Sequence, residues 1–107
     1  MACSGDLLLE ALVACAGVTL KAVATAIGIE IKNRTVKAEG DLDFRGTLGV
    51  SKYVPVGFKS IRLFFNLDTD VSSEQLQKLS KLTERYCVVN QTHTRGVPTE
   101  TIFTKTK

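Results

Sequence analysis

One long apolar segment near the start constrains the fold of this 107-residue chain more than any other feature. Residues 4–20 are apolar on nearly every face of a helix, and the charges of Asp6 and Glu10 lie in its first turns. Ser4 is a suitable N-cap, and acidic side chains stabilise the positive end of the helix dipole. Because a helix that is apolar all round belongs in a core or an interface, Cys15 is predicted on a buried scaffold.

Length, charge and cysteine count limit the class of protein. A chain of this length corresponds to one domain, so we expect residues 1–107 to form a single unit. The net charge of +3 is small and spread among acidic residues, which argues against a nucleic-acid partner. Three cysteines, an odd number, fit no secreted disulfide framework.

The same segment bears on membrane insertion and secretion. Its uncharged part, residues 11–20, is shorter than the roughly 20 residues that cross a bilayer. A secretory signal has a basic start, whereas the first charge here is Asp6. We therefore expect a cytoplasmic protein without a membrane partner, in a compartment that keeps thiols reduced.

Hydrophobic periodicity predicts an α+β fold. The first helix is expected over about residues 5–26, with Gly28 as its C-terminal stop. Alternating or β-rich segments predict strands at residues 29–32, 36–44, 58–67 and 98–104. Turn and loop residues predict irregular structure at residues 33–34, 45–57 and 90–96.

A second helix is predicted from its N-terminal signals. Ser72 with Gln75 forms a capping box, and Val71 with Leu76 is spaced for a hydrophobic staple. The apolar face of this helix is predicted at Leu76, Leu79, Leu82 and Tyr86. The helix therefore brings Cys87 to the core or close to it.

The predicted order is helix, strand, strand, strand, helix, strand, in which antiparallel strands cover the long apolar helix. No predicted element precedes that helix, so a large apolar surface must be covered by something else. Such surfaces usually pack against another subunit, which predicts an intertwined homodimer.

Several motifs together resemble one known family. They are Leu7-Leu8-Leu9-x-Ala11-Leu12-x-Ala14-Cys15 with Gly17-x-Thr19-Leu20, then Gly40-Asp41-Leu42-Asp43, Val56-Gly57-Phe58-x-x-Ile61 and Thr83-Glu84-Arg85-Tyr86-Cys87-x-Val89. This set resembles the OsmC/Ohr family, the osmotically inducible protein C and organic hydroperoxide resistance proteins. The resemblance runs from about Ser4 to the C-terminus and includes two cysteine motifs.

The resemblance implies a fold and an activity. Members are dimers in which curved β-sheet packs on a long central helix, and many reduce organic hydroperoxides through a cysteine pair without a cofactor or a metal. It implies that Cys15 is the peroxidatic thiolate, that Cys87 is the resolving thiol, and that a thiol reductant regenerates them. Asp6 is the closest match to a family acidic residue that positions a catalytic arginine.

The sequence also departs from the family pattern. Members normally carry strands before the long helix, and the activating arginine comes from that part. This sequence begins three residues before the motif, so the resemblance implies a shortened member or a fragment. The candidates to replace this arginine, among which the resemblance does not choose, are Arg34, Arg45, Arg62, Arg85 and Arg95.

Peroxide reduction by two thiols sets physical requirements of its own. A thiolate attacks the O–O bond and becomes a sulfenic acid, which a second thiol converts to a disulfide. Cys15 and Cys87 are 72 positions apart, so folding must bring their Cα atoms within about 7 Å. A cation or a helix N-terminus must also lower the thiol pKa, because burial alone raises it.

Other interpretations of the same residues stay open. Buried cysteines often pack simply as small hydrophobic side chains, and Asp6 and Glu10 can be ordinary first-turn charges. A metal site would use Cys3, Cys15, Cys87 and His93, but these lack the closely spaced ligand pairs of structural zinc. Otherwise, Cys3 is incidental and His93 is a solvated loop residue.

Two functions therefore remain. The first is a thiol-dependent peroxidase acting on organic hydroperoxides, with Val13, Phe58 and Phe64 as candidates for lining its pocket. The second is a non-catalytic dimeric protein of the same fold, a small-molecule-binding protein or a structural remnant that lost the activating arginine.

Overall fold

A computed structural model describes residues 4–43, 48–49, 53 and 56–105. Its elements in chain order are α1 (Ser4–Ala26), β1 (Asn33–Leu42), β2 (Phe58–Asp68), α2 (Ser73–Tyr86) and α3 (Val88–Arg95). Within this part of the chain, β1 and β2 form a two-stranded antiparallel sheet on which α1 packs. The predicted α+β class, with a long helix against antiparallel strands, is confirmed.

Helix α1 ends where a glycine allows the backbone to turn. Gly28 has φ +74°, a left-handed conformation that costs glycine little. The N–H of Gly28 donates to the Thr25 carbonyl at 3.3 Å, and the N–H of Ile29 donates to the Ala24 carbonyl at 2.8 Å. These two bonds form a Schellman motif, which confirms the predicted stop.

Helix α1 is apolar on most faces but buries one stripe. Leu12, Ala16, Leu20 and Ala24 are between 0 and 4% exposed, and they recur every four residues along one side. Leu20 and Ala24 pack with Leu79 of α2, while Leu12 and Ala16 form a second cluster nearer the N-terminus of α1. The second cluster includes Cys87, so one end of the core contains a thiol.

The sheet turns one face to the helix and the other to solvent. Val36, Ala38, Ile61, Leu63 and Phe65 pack against the cluster of Leu12, Ala16 and Cys87. Ile61, Leu63 and Phe65 alternate along β2, and Leu67, the next residue on the same face, packs against Leu20 and Leu79. The pairing of β1 with β2 shifts between Asp41 and Leu42.

The outer face of the sheet carries a charged cluster across the two strands. Arg62 Nη1 and Nη2 donate to the Asp41 carboxylate at 2.9 and 3.1 Å, and Ser60 donates to the same group at 2.8 Å. Hydrogen bonds from Arg62 and Ser60 lower the pKa of Asp41 to about 2. Arg62 Nε also lies 3.6 Å from Glu39 Oε2. The cluster therefore links β1 and β2 on the solvent-facing side of the sheet.

Gly40 is needed for close approach between the strand and an aromatic ring. A Cβ at this position would lie 2.6 Å from Cδ1 and Cε1 of Phe58. The ring of Phe58 therefore packs directly on the β1 backbone. Any larger residue at position 40 would displace it.

Helix α2 begins as predicted but turns a different face inward. The Ser72 side chain accepts a hydrogen bond from the Gln75 backbone N–H at 3.2 Å, which confirms the predicted cap. The buried positions are Leu79 and Thr83, followed by Cys87 at the helix end. Leu76 and Tyr86, which belong to the predicted face, are 43 and 57% exposed. The inward positions Leu79, Thr83 and Cys87 instead recur every four residues, as the buried residues of α1 do.

Two predictions at the C-terminal end are wrong. Residues 90–96 were expected to be irregular, but α3 occupies Val88–Arg95. It buries no side chain, so it leaves no hydrophobic period in the sequence. Residues 98–104 contain no strand, and Ile102 and Phe103 are 73 and 94% exposed. A β-rich composition produces a strand only beside a partner strand.

The boundary between α1 and β1 also differs from the prediction. Residues 29–32 form no strand, because the N–H of Ile29 completes the helix end. The predicted turn at residues 33–34 is instead the start of β1, where Asn33 pairs with Asp68. Most of the predicted loop at residues 45–57, and Phe44 of the predicted strand, lie outside the described residues.

Within the described residues there is one helical segment, Gly5–Ala26, whose length and composition would allow it to cross a membrane. The uncharged run of residues 11–20 underestimates its apolar length, because the flanking charges are few. Core helices of soluble proteins and N-terminal signal sequences meet the same criterion. The stripe from Leu12 to Ala24 packs against the sheet and α2, and most of the remaining segment is not buried.

Replacing Leu12 by alanine tests the importance of the α1 stripe. Leu12→Ala leaves a cavity at a fully buried position, so we expect a loss of about 3 kcal/mol in the free energy of unfolding. Urea denaturation at one fixed protein concentration measures it. Ile102→Ala removes as many carbons from a 73% exposed side chain and is the matched control, expected within about 0.5 kcal/mol of wild type. Equal losses in both variants would contradict this core assignment.

Candidate functional site

Two free thiols lie close together beside the core cluster of Leu12 and Ala16. Cys15 lies midway along α1, and Cys87 lies at the junction of α2 and α3. The Cys87 thiol donates a hydrogen bond to the Cys15 sulfur, with 3.5 Å between the two Sγ atoms. The predicted proximity of these two residues is thus observed. A disulfide of about 2.05 Å requires the sulfurs to approach by roughly 1.5 Å.

The junction between α2 and α3 places Cys87 against α1. The N–H of Cys87 donates to the Thr83 carbonyl at 3.0 Å, which ends α2. The carbonyl of Cys87 accepts from the Gln91 N–H at 2.9 Å, which begins α3. One residue with extended backbone, φ −75° and ψ 106°, therefore serves as the C-cap of one helix and the N-cap of the next. Its side chain packs with Leu12 and Ala16 of α1.

Hydrogen-bond donors converge on the Cys15 sulfur. The backbone N–H of Val89 is the main cause of a lowered pKa at Cys15, and burial opposes it. The Cys87 thiol, the Thr19 hydroxyl and the Val88 N–H lower the pKa further. Val88 and Val89 are the first two residues of α3, so Cys15 lies at the positive end of that helix.

Cys87 has the opposite electrostatic environment. Burial is the main cause of a raised pKa at this thiol, which is 1% exposed. Backbone N–H groups of Asn90 and Val89 lower it in part, whereas the hydrogen bond to the Cys15 sulfur and the charge on that sulfur raise it further. The pair is therefore asymmetric: the pKa of Cys15 is lowered, the pKa of Cys87 is raised, and the Cys87 thiol donates the hydrogen bond between them.

Of the five candidate arginines, two have other partners and one lies outside the described residues. Arg62 pairs with Asp41 and Glu39 on the far side of the sheet, and the guanidinium of Arg85 lies 5.6 Å from the ring centroid of Tyr86. Arg45 lies outside the described residues. Among the described residues, the groups that lower the pKa of Cys15 are backbone N–H, thiol and hydroxyl groups. The helix N-terminus thus supplies the positive potential expected from a cation.

Sequence reasoning missed Thr19 and the N-terminus of α3 as parts of the site. Thr19 follows Cys15 by four residues, the spacing that places two side chains on one helical face, so this contact was readable from the sequence. The N–H groups of Val88 and Val89 left no such signal, because α3 lacks an apolar period. Their position depends on how the junction packs against α1.

Asp6 and His93 lie away from the sulfur pair. Asp6 precedes Cys15 by nine residues, about 13.5 Å along the helix axis, so any influence on the thiol must pass through another group. His93 lies on α3, with Nε2 3.0 Å from Asn90 Oδ1, and is not in a loop as expected. Cys3 lies outside the described residues, and no group of three potential ligands for a metal occurs within them.

Cavities lie around the core, and one adjoins the sulfur pair. A cavity of about 280 Å³ has Cys87 in its wall, together with Thr83, Glu84 and Asn90. Of the predicted pocket residues, Phe58 lines a cavity of about 500 Å³ and Val13 one of about 410 Å³ that also includes Asp6. Phe64 is 46% exposed on the outer face of the sheet and lines none of these three.

Comparison with known proteins identifies a family and proteins of similar fold. The model of the family described as OsmC-like protein matches residues 2–102. The fold is similar to that of an OsmC-like protein from Mycoplasma pneumoniae, with a TM-score of 0.71 and 23% identity over 85% of this chain. An OsmC-like protein of unknown function from Vibrio cholerae gives a TM-score of 0.65 and 16% identity over 83% of this chain. The chain spans 60 and 56% of these two proteins. Among curated proteins, none matches the chain.

Thr19 provides a test of the thiolate environment. Thr19→Val removes the hydroxyl donor at similar volume, so the pKa of Cys15 should rise and its alkylation at pH 7 should slow. Iodoacetamide rates across pH, followed by peptide mass mapping of Cys15, measure this. In wild type the midpoint should lie below the value of about 8.5 for a free cysteine.

Thr19→Ser is the matched control, because it keeps the hydroxyl and should keep the wild-type profile. The lowered pKa also predicts stability in the reduced protein that is present above the unfolded-state pKa and is lost as pH falls through the folded-state pKa. Cys15→Ser should lack this dependence. Identical alkylation profiles for Thr19→Val and Thr19→Ser would remove Thr19 from the site.

Proposed function

Because the chain belongs to the OsmC-like protein family, we propose that it is a thiol-dependent peroxidase that reduces organic hydroperoxides through Cys15 and Cys87. The observation that carries the proposal is the asymmetric sulfur pair, in which a thiol with lowered pKa accepts a hydrogen bond from one with raised pKa. Peroxide reduction by two thiols needs one sulfur that ionises readily and a second thiol within reach of it.

In the first step, Cys15 is the nucleophile. Its thiolate attacks one peroxide oxygen, the O–O bond breaks, and the sulfur becomes a sulfenic acid while the alkoxide takes a proton from solvent and leaves as an alcohol. The N–H groups of Val88 and Val89 favour the thiolate in the resting state. Cys15 is only partly buried, which leaves the sulfur accessible to a small substrate.

In the second step, Cys87 resolves the sulfenic acid. Its sulfur attacks the Cys15 sulfur, the S–O bond breaks, and hydroxide leaves with the thiol proton as water. The 3.5 Å separation means that this step needs only a small movement of two side chains. Two thiols and one hydroperoxide thus give a disulfide, an alcohol and water, and a thiol reductant restores the pair.

The surroundings of the pair favour a substrate with an apolar group. Cys15 packs beside the cluster that contains Leu12, Val36, Ala38 and Val89. A peroxide without an apolar group gains no hydrophobic stabilisation from these contacts. An alkyl or aryl hydroperoxide buries apolar surface there.

Asp6, as the acidic residue implied by the resemblance, is proposed to orient a cationic group at the N-terminal end of α1.

We propose in addition that the protein is a homodimer in the cytoplasm. An exposed stripe of α1 contains Leu7, Ala11, Ala14 and Val18, with Leu7 62% and Val18 72% exposed. These residues share one helical face at spacings of three and four, and an apolar face of this kind is typical of an interface between subunits. The cytoplasm keeps both thiols reduced between turnovers.

A thiol titration after treatment with cumene hydroperoxide tests the proposed reaction. One equivalent should remove two free thiols per chain from the wild type, with one equivalent of cumyl alcohol formed. Cys15→Ser should remove none. Cys87→Ser should stop at the sulfenic acid, which dimedone labels at Cys15.

Cys3→Ser is the matched control and should still lose two thiols, because the proposed pair remains intact. Thiols that stay unchanged in the wild type would favour the alternative function, a non-catalytic member of the same fold. Loss of two thiols in Cys15→Ser would instead show that another cysteine pair reacts.

A further inference from the structure

We propose that a small thiol, neutral or cationic, reduces the Cys15–Cys87 disulfide by attacking the Cys87 sulfur from the cavity of about 280 Å³, and that Cys15 leaves toward the N-terminus of α3. The inference rests on the proposed function only in that the two cysteines form a disulfide. It assigns the direction of reduction, the entry route of the reductant and a residue that selects it.

The leaving group sets the direction of attack. Thiol–disulfide exchange is faster when the expelled sulfur is the more stable anion. An attack on Cys87 expels Cys15, whose thiolate is held by the N–H groups of Val88 and Val89 and by Thr19. An attack on Cys15 would expel Cys87 as a thiolate into a 1% exposed position, where burial disfavours the anion more than the N–H groups of Asn90 and Val89 favour it. The proposed direction therefore follows the leaving group and not the greater exposure of Cys15.

The cavity provides a route to Cys87 that does not pass through Cys15. Cys87 is in its wall, whereas Cys15 is not among the described residues that line it. Ser80, Thr83 and Asn90 contribute polar groups to the same wall. The Thr83 hydroxyl is buried and has no hydrogen-bond partner among the described residues, which favours a polar guest over an empty apolar void.

The size and charge of the cavity restrict the reductant. A volume of about 280 Å³ lies below the range of roughly 300 to 1,000 Å³ that holds drug-sized ligands, so a thiol of a few carbon atoms fits. Apart from the cysteine, Glu84 is the one ionisable residue among the described wall residues. Its carboxylate disfavours a thiol that carries a further negative group and favours one with an ammonium group.

The exchange balances without any other reactant. The reductant thiolate bonds to the Cys87 sulfur as the S–S bond breaks, and the electron pair leaves on Cys15. A second reductant thiolate then attacks the reductant sulfur of this mixed disulfide, and Cys87 takes up a proton as it leaves. The products are the reduced pair and one oxidised reductant disulfide.

Trapping the mixed disulfide tests the direction. The disulfide is formed with diamide, so that no peroxide is needed, and is then treated with 2-mercaptoethanol and quenched within seconds by excess N-ethylmaleimide. Peptide mass mapping should find mercaptoethanol on Cys87 and maleimide on Cys15, at least tenfold over the reverse labelling. Cys3→Ser, analysed in parallel, excludes exchange through the third cysteine. Reverse labelling in excess would overturn the proposal.

Reductants of different charge test the role of Glu84. At matched thiolate concentration, cysteamine and 2-mercaptoethanol should reduce the disulfide about two- to fivefold faster than 3-mercaptopropionate. Glu84→Gln should abolish this preference, whereas Glu74→Gln, on the exposed first turn of the same helix, should keep it. A preference that survives in Glu84→Gln would remove this residue from the entry route.

The outcome separates this inference from the proposed function. If diamide forms the disulfide but cumene hydroperoxide does not, the peroxidase proposal fails and the direction of reduction is still measured. If the peroxide forms the disulfide but mercaptoethanol is found on Cys15, the peroxidase stands and this inference fails. If neither oxidant forms it, both are overturned.

Discussion

The contact between the Cys15 sulfur and the start of α3 is the interaction on which the proposed chemistry depends. It exists because Cys87 ends α2 and begins α3 in one residue, with its own side chain packed on α1. A helix N-terminus leaves N–H groups without partners inside the helix, and here those of Val88 and Val89 lower the pKa of a thiol on another helix. One packing arrangement therefore places backbone donors where they favour a thiolate.

The two sulfurs differ because their surroundings differ, although the residue type is the same. Cys15 faces donors and partial exposure, whereas Cys87 is enclosed by the apolar cluster of Leu12 and Ala16. Burial and hydrogen bonding act in opposite directions on a thiol pKa, and each dominates at one of the two positions. The proposed chemistry uses this difference, with Cys15 as the proposed nucleophile.

Helical periodicity and capping signals could be read from the sequence because they are local. The long helix, its stop at Gly28 and the Ser72 cap were predicted on that basis and are observed. Helix α3 was missed because it buries no side chain and is held by its ends and by packing against α1. The segment at residues 98–104 was predicted as a strand from β propensity, which depends on a neighbouring strand for its expression.

By itself, the sequence determined the fold class, because apolar periodicity resides in the order of residues, and its family motifs singled out Cys15 and Cys87 as the candidate pair. Only the tertiary structure decided that the two sulfurs lie 3.5 Å apart and that one of them sits at a helix N-terminus. The physical reason is that a thiol's ionisation reflects every donor and apolar group around it. Those groups come from α1, α2 and α3 together, across 72 positions of chain, and no local pattern records their meeting.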